Sequence, residues 1–140
     1  MYTSKQTGNK YIVSVKNHTE VVKALTAFCE EKNIKAGSIY GIGAVKEATL
    51  RFFDPATKKY IDKIFPEQME IASLIGNIAQ MHDQVYIHLH ITLGRADYSA
   101  LAGHLLSAVL NGAGEFVVEK YDAQVERHYD ETTGINLYDL

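Results

Sequence analysis

The chain has 140 residues, 46% of them hydrophobic, with one cysteine and a formal charge of −3 from 17 acidic and 14 basic residues mixed along its length. That length carries a real core, and with no Pro/Gly/Ser-rich linker to divide it the expectation is a single domain over residues 1–140. Without a Lys/Arg cluster there is no positive field for nucleic acid, no window approaches the ~18 apolar residues of a membrane span, and Met1 to Lys10 is too polar for a signal peptide, so a cytoplasmic protein that binds neither membrane nor, on its own, nucleic acid is expected.

Tyr11-Ile12-Val13-Ser14-Val15 reads as a first strand. Asn17 or Thr19 is then a candidate N-cap for a helix running to about Lys32, with Glu20 well placed for the helix dipole and Asn33 able to take the left-handed stop. Val21, Val22, Leu25, Phe28 and Cys29 form its apolar face, which makes the lone cysteine a buried structural thiol and not a nucleophile or ligand. From Gly37 to Phe53 the pattern is β, and Asp54-Pro55-Ala56-Thr57 supplies a turn into Lys59 to Phe65, a hairpin. Met69 to Met81 is β-like with Gly76-Asn77 as a bulge or bend, although a helix over Glu70 to Gln80 stays open. Val85 to Leu93 is a strand, Gly94-Arg95-Ala96-Asp97 a turn, Gly103 to Leu110 the next apolar run, Glu115 to Arg127 a last long strand, and Asp130 to Gly134 a closing turn. One helix among six or more strands implies an α+β domain on an antiparallel or mixed sheet, curled toward a barrel.

The chemistry concentrates in Val85-Tyr86-Ile87-His88-Leu89-His90-Ile91-Thr92-Leu93. Alternation puts the aliphatic residues on one face and Tyr86, His88, His90 and Thr92 on the other, so the two histidines point the same way. Their Cα atoms stand roughly 6.5 to 7 Å apart, a gap two imidazoles close by leaning toward one ion at metal–nitrogen distances of about 2.0 to 2.1 Å. An isolated His-x-His more often decorates a sheet surface, but His104, in the run that follows the turn, offers a third ligand. Antiparallel pairing with His90 opposite His104 completes the trio, and a slip of one residue turns His104 away. Three neutral imidazoles leave a fourth position open around zinc or another divalent transition metal, as in reactive sites, whereas a closed thiolate site is excluded by the single cysteine. His82 and His128 are weaker candidates for membership and His18, beside the helix start, the weakest.

An open metal site that moves protons needs a carboxylate. Glu70, between Met69 and Ile71, is the favoured catalytic candidate, with Glu47 as its rival; a lone strand glutamate is otherwise a surface charge. Gly41-Ile42-Gly43 is not a dinucleotide loop, because position 46 is Lys46 and the segment after it is β-like, so these glycines are read as allowing a bend or close strand packing.

As a set, Gly41-Ile42-Gly43-Ala44-Val45, Phe53-Asp54-Pro55, Glu70 to Ile78, His88-Leu89-His90 with Leu93-Gly94, Gly103-His104-Leu105 and Asp130-x-x-Thr133-Gly134 span roughly Lys10 to the C-terminus. Together they resemble the plants-and-prokaryotes conserved domain, often called PPC, in its stand-alone bacterial form. The resemblance implies an α+β fold similar to acetolactate decarboxylase and related zinc proteins, a homotrimer, and His88, His90 and His104 as the metal trio. Plant members join the domain to an Arg-Gly-Arg-Pro AT-hook that enters the DNA minor groove; this chain has no such element. In the strand after the turn, Leu106, Ala108 and Leu110 on one face and Leu105 and Val109 on the other ask for two covers, of which one is a partner subunit or a second internal layer, so the trimer rests on the family resemblance. Three functions compete: a zinc-binding homotrimer acting on a small molecule, a zinc-dependent lyase or hydrolase among the possibilities; a DNA-associated regulatory or oligomerisation module; and a purely structural trimer.

Overall fold

The structure, a computed structural model, describes residues 1–140. The β periodicity is realised in nine strands around one helix: β1 (Tyr2–Thr7), β2 (Lys10–Val15), α1 (Val21–Glu31), β3 (Gly37–Asp54), β4 (Lys59–Phe65), β5 (Met69–Met81), β6 (Gln84–Gly94), β7 (Ala100–Lys120), β8 (Glu126–Asp130) and β9 (Ile135–Asp139). Strand β3 pairs with β5 and β7, and β6 also pairs with β5 and β7, so these four strands close a ring of hydrogen-bonded neighbours. Every pairing is antiparallel except the single bridge of Gln80 to Glu126, which makes the sheet mixed. The fold is α+β and mostly β.

The core is one cluster of 25 buried residues, in which Val21, Ala24, Leu25, Phe28 and Cys29 of α1 meet Ile39, Leu74, Ile78, Leu89, Ile91, Leu110 and Phe116 of the sheet. Burial pushes the Cys29 thiol up to about 12, which leaves it protonated and inert.

Four sequence expectations change in detail. The N-cap of α1 is Glu20 itself, whose carboxylate accepts from Val22 N at 3.0 Å and Lys23 N at 2.7 Å, because the same carboxylate is also drawn to Ala108 N of β7 at 3.0 Å. Met69 to Met81 is a strand, not a helix, and its register shift lies between Ile71 and Ser73 instead of at Gly76. Gly76 serves close approach: a Cβ there would collide with the His88 carbonyl and the Leu89 side chain. The runs read as separate strands at Gly103–Leu110 and Glu115–Arg127 are one strand through Lys120, turned at Gly112 (φ 138°), and Arg127 belongs to a separate C-terminal hairpin. An irregularity opposite Thr49 and Leu50 then sets Leu105 on the core face together with Ala108 and Leu110, while Leu106 and Val109 are half-buried. Polar β1, unforeseen in the sequence, forms because β2 offers it a free edge. Other signals hold: Asn33 takes φ 48° after the helix, and Asp54 accepts from Ala56 N (2.9 Å) in its turn.

Candidate metal centre

Register assembles the site. Across the outer face of the ring, Asp62 of β4 lies opposite Arg51 of β3, Arg51 opposite His104 of β7, His104 opposite His90 of β6, and His90 opposite Ile75 of β5. Directly paired antiparallel residues project to the same side, so this row brings His104 beside His90, with His88 two residues away on that face. The three rings converge: centroids stand 5.0 to 5.5 Å apart, and one nitrogen from each lies within 4.8 Å of the others.

Two of the three rings already stand at the spacing of a tetrahedral divalent site, and His104 closes it by leaning toward them. Two nitrogens bound at about 2.0 to 2.1 Å stand roughly 3.3 Å apart along a tetrahedral edge, and His88 Nε2 and His90 Nε2 are 3.2 Å apart. No other hydrogen bond occupies any of the three rings, so their lone pairs are available. The electrostatics agree, since metal ligation requires neutral imidazole. Burial, then His104, Arg127 and His90, hold His88 down at about 4. Burial, with the charges of His90 and Arg51, also lowers His104, and Asp62 opposes the shift.

These rings open into a cavity of about 520 Å³ lined by Arg51, Phe52, Phe53, Tyr60, Tyr86, His88, His90, Gly103, His104, Ile135 and Asn136. Arg51 donates from Nε and Nη2 to the two oxygens of Asp62 at 2.7 and 2.8 Å and lies 4.4 Å from the Tyr60 ring centroid, so its charge is paired and its plane fixed. Hairpin counting back from Asp54 and Lys59 matches Arg51 with Asp62, so this pair, absent from the expectations above, has a local signal in the chain. Arg127 and Asn136 carried no comparable signal, because the hairpin that supplies both joins the sheet through a single bridge, whereas Tyr86 shares the alternating face of His88 and His90.

Glu70 stands elsewhere. It is opposite Gly94, four residues beyond His90 on β6 and so about 13 Å along the strand, and it lines a second cavity with Gln68, Asn111 and Glu115. Its rival Glu47 is exposed and opposite Val109. The acid whose charge reaches the trio is Asp62. His82 occupies the left-handed turn between β5 and β6, His128 is exposed on β8, and His18 sits at φ 62° before the helix; none joins the cluster.

The family model for the Plants and Prokaryotes Conserved (PCC) domain matches residues 2–122, starting before and stopping short of the stretch that carried the resemblance. No curated protein matches the chain. Among solved structures, a candidate DNA-binding protein from Bacteroides thetaiotaomicron is 66% identical over 99% of this chain and 97% of that one, with a TM-score of 0.98. A metal-containing protein from Archaeoglobus fulgidus is 32% identical over the whole of both chains, with a TM-score of 0.88. A Staphylococcus aureus protein described as similar to alpha-acetolactate decarboxylase shares the fold alone, at 10% identity and a TM-score of 0.56 over 87% of this chain and 56% of that one. No helix is long and apolar enough to cross a membrane.

Proposed function

The chain belongs to the Plants and Prokaryotes Conserved domain family, and on that premise we propose that it is a zinc-binding homotrimer that handles a small molecule at the open site of His88, His90 and His104. The observation that carries this reading is the 3.2 Å approach of His88 Nε2 to His90 Nε2, with His104 facing them and no protein group competing for the nitrogens. The metal-containing Archaeoglobus relative supports it. Zinc suits a set of neutral nitrogens with no thiolate, and when bound it supplies a Lewis acid toward a ligand oxygen. Around it, Tyr60, Phe53 and Tyr86 give the small molecule apolar walls, and the Arg51–Asp62 pair fixes one polar edge. Glu70 is retained as the proton-transfer candidate only through a change of neighbours on assembly, since within one chain it faces another cavity.

Support for assembly comes from the same face of the sheet. Ile75 continues the row to Tyr40, Val117 and Ile12, and Ile12, Tyr40 and Ile75 are 54%, 46% and 62% exposed, an apolar stripe that water covers at a cost and a subunit covers at a gain. A cytoplasmic location belongs to the same proposal.

The test is metal analysis of untagged protein purified without chelator, with light scattering for mass. About one zinc per chain in a trimer is expected, and His88→Ala combined with His90→Ala abolishes it. Protein that neither carries metal nor takes up zinc on titration overturns the reading. A DNA-associated role is the second reading, favoured by the description of the Bacteroides relative. Retention on DNA at low salt with a steep loss as salt rises supports it, and no retention removes it.

A further inference from the structure

The family match ends at residue 122, yet the C-terminal hairpin of β8 and β9 beyond it walls the histidine cavity. The hairpin is tied at one end by the Gln80–Glu126 bridge and at its tip by Lys58 Nζ, which donates to the Glu131 carbonyl at 3.0 Å. Between these ties Ile135 and Asn136 reach the cavity.

The hairpin's one cation, Arg127, is held in an unusual way. Its Nη2 donates to Asn77 Oδ1 at 2.8 Å and its Nη1 to the Asn136 carbonyl at 3.1 Å, while the guanidinium stands 5.0 Å from the Tyr86 ring and 4.4 Å from the Tyr138 ring. Its Nε is buried and unpartnered, and none of the four ion pairs of the protein includes it. Every partner of this cation is therefore neutral. Asn77 is opposite His88, Tyr86 shares the cavity wall with His88, and Asn136 lines the same space, so the charge stands close to His88, just outside the cavity lining. Arg51, by contrast, is neutralised by Asp62. Holding an unpaired, half-buried cation beside a site for a dication is costly unless something negative completes it. We propose that Arg127 makes this cavity selective for small anionic ligands, carboxylates foremost, and that the C-terminal hairpin is the specificity element of the site. The inference rests on the metal-centre reading above. Arg127 acts through the field and through Tyr86 and Asn136, as a positioning residue.

Cobalt(II)-substituted full-length protein reports ligand binding through its visible absorption, with acetate as the anionic probe and imidazole, neutral at pH 8, as the uncharged one. Arg127→Gln is expected to weaken acetate by about tenfold, the scale of one unpaired charge at this range, and to leave imidazole within about twofold, while Arg127→Lys restores most of the acetate affinity. Equal acetate affinity in R127Q and wild type, or a parallel loss for both probes, overturns the inference and leaves the metal centre standing. Wild-type protein that takes up no cobalt overturns both. Should R127Q fail to fold, Arg127→Met is measured in its place with the same two probes: a selective loss of acetate is required, and unchanged acetate affinity or a parallel loss of both overturns the proposal.

Discussion

Acid tests the neutrality of the histidine site. His88 is held at about 4 by burial and by the charges of His104, Arg127 and His90, against an ordinary value of 6.5. In the unfolded chain the ring gains its proton near the ordinary value, so between these two values unfolded protein binds more protons than folded. The contribution of His88 to stability is therefore fully present above about 6.5, is lost progressively as pH falls, and is exhausted below about 4. For an enclosed group the difference amounts to about 3 kcal/mol; His88 is half-buried, and solvent screening leaves ~1–2 kcal/mol. Urea unfolding of metal-free protein in chelator, at one protein concentration because assembly shifts the midpoint, measures it at pH 7 and pH 4.5. Other titrating groups cancel in comparison with His88→Gln, whose stability should fall by less than that of the wild type over the same interval, by ~1–2 kcal/mol. Identical falls in the two proteins refute the argument, and with it the view that the site keeps its rings neutral for a metal.

Two further outcomes follow from packing. Glu20→Ala removes the acceptor of two helix N–H groups and of Ala108 N, and should cost about 1–2 kcal/mol in urea unfolding; an unchanged midpoint would mean that water replaces all three bonds. Gly76→Ala drives a methyl against the His88 carbonyl and Leu89, displacing the strand that carries two ligands, so zinc affinity should drop together with about 1–3 kcal/mol of stability. Wild-type zinc binding by G76A contradicts that coupling.

Much of the site was legible in the chain because it depends on short-range geometry. Alternation in Val85 to Leu93 places His88 and His90 on one face whatever the fold, since successive strand residues must oppose. The Asp54 turn, the helix with Cys29 inside and the left-handed Asn33 are equally local. Local signals compete before the helix: Thr19 and Asn17 are better N-caps than Glu20 by residue type, but Glu20 also satisfies Ala108 N across the fold, an interaction invisible to a local rule.

The remainder is long-range, and the chain carries no local signal for it. That His90 faces His104 is decided by the pairing of β6 with β7, where one residue of slip would have sent the third imidazole into the core. A ring closed by β3, β5, β6 and β7 set Arg51 and Asp62 in the same row and left Glu70 about 13 Å along the strand, facing a different cavity. A hairpin joined to the sheet by one bridge brought Arg127 close to His88. Alternation determines which side of a strand a residue takes; only the closure of the sheet determines what stands next to it.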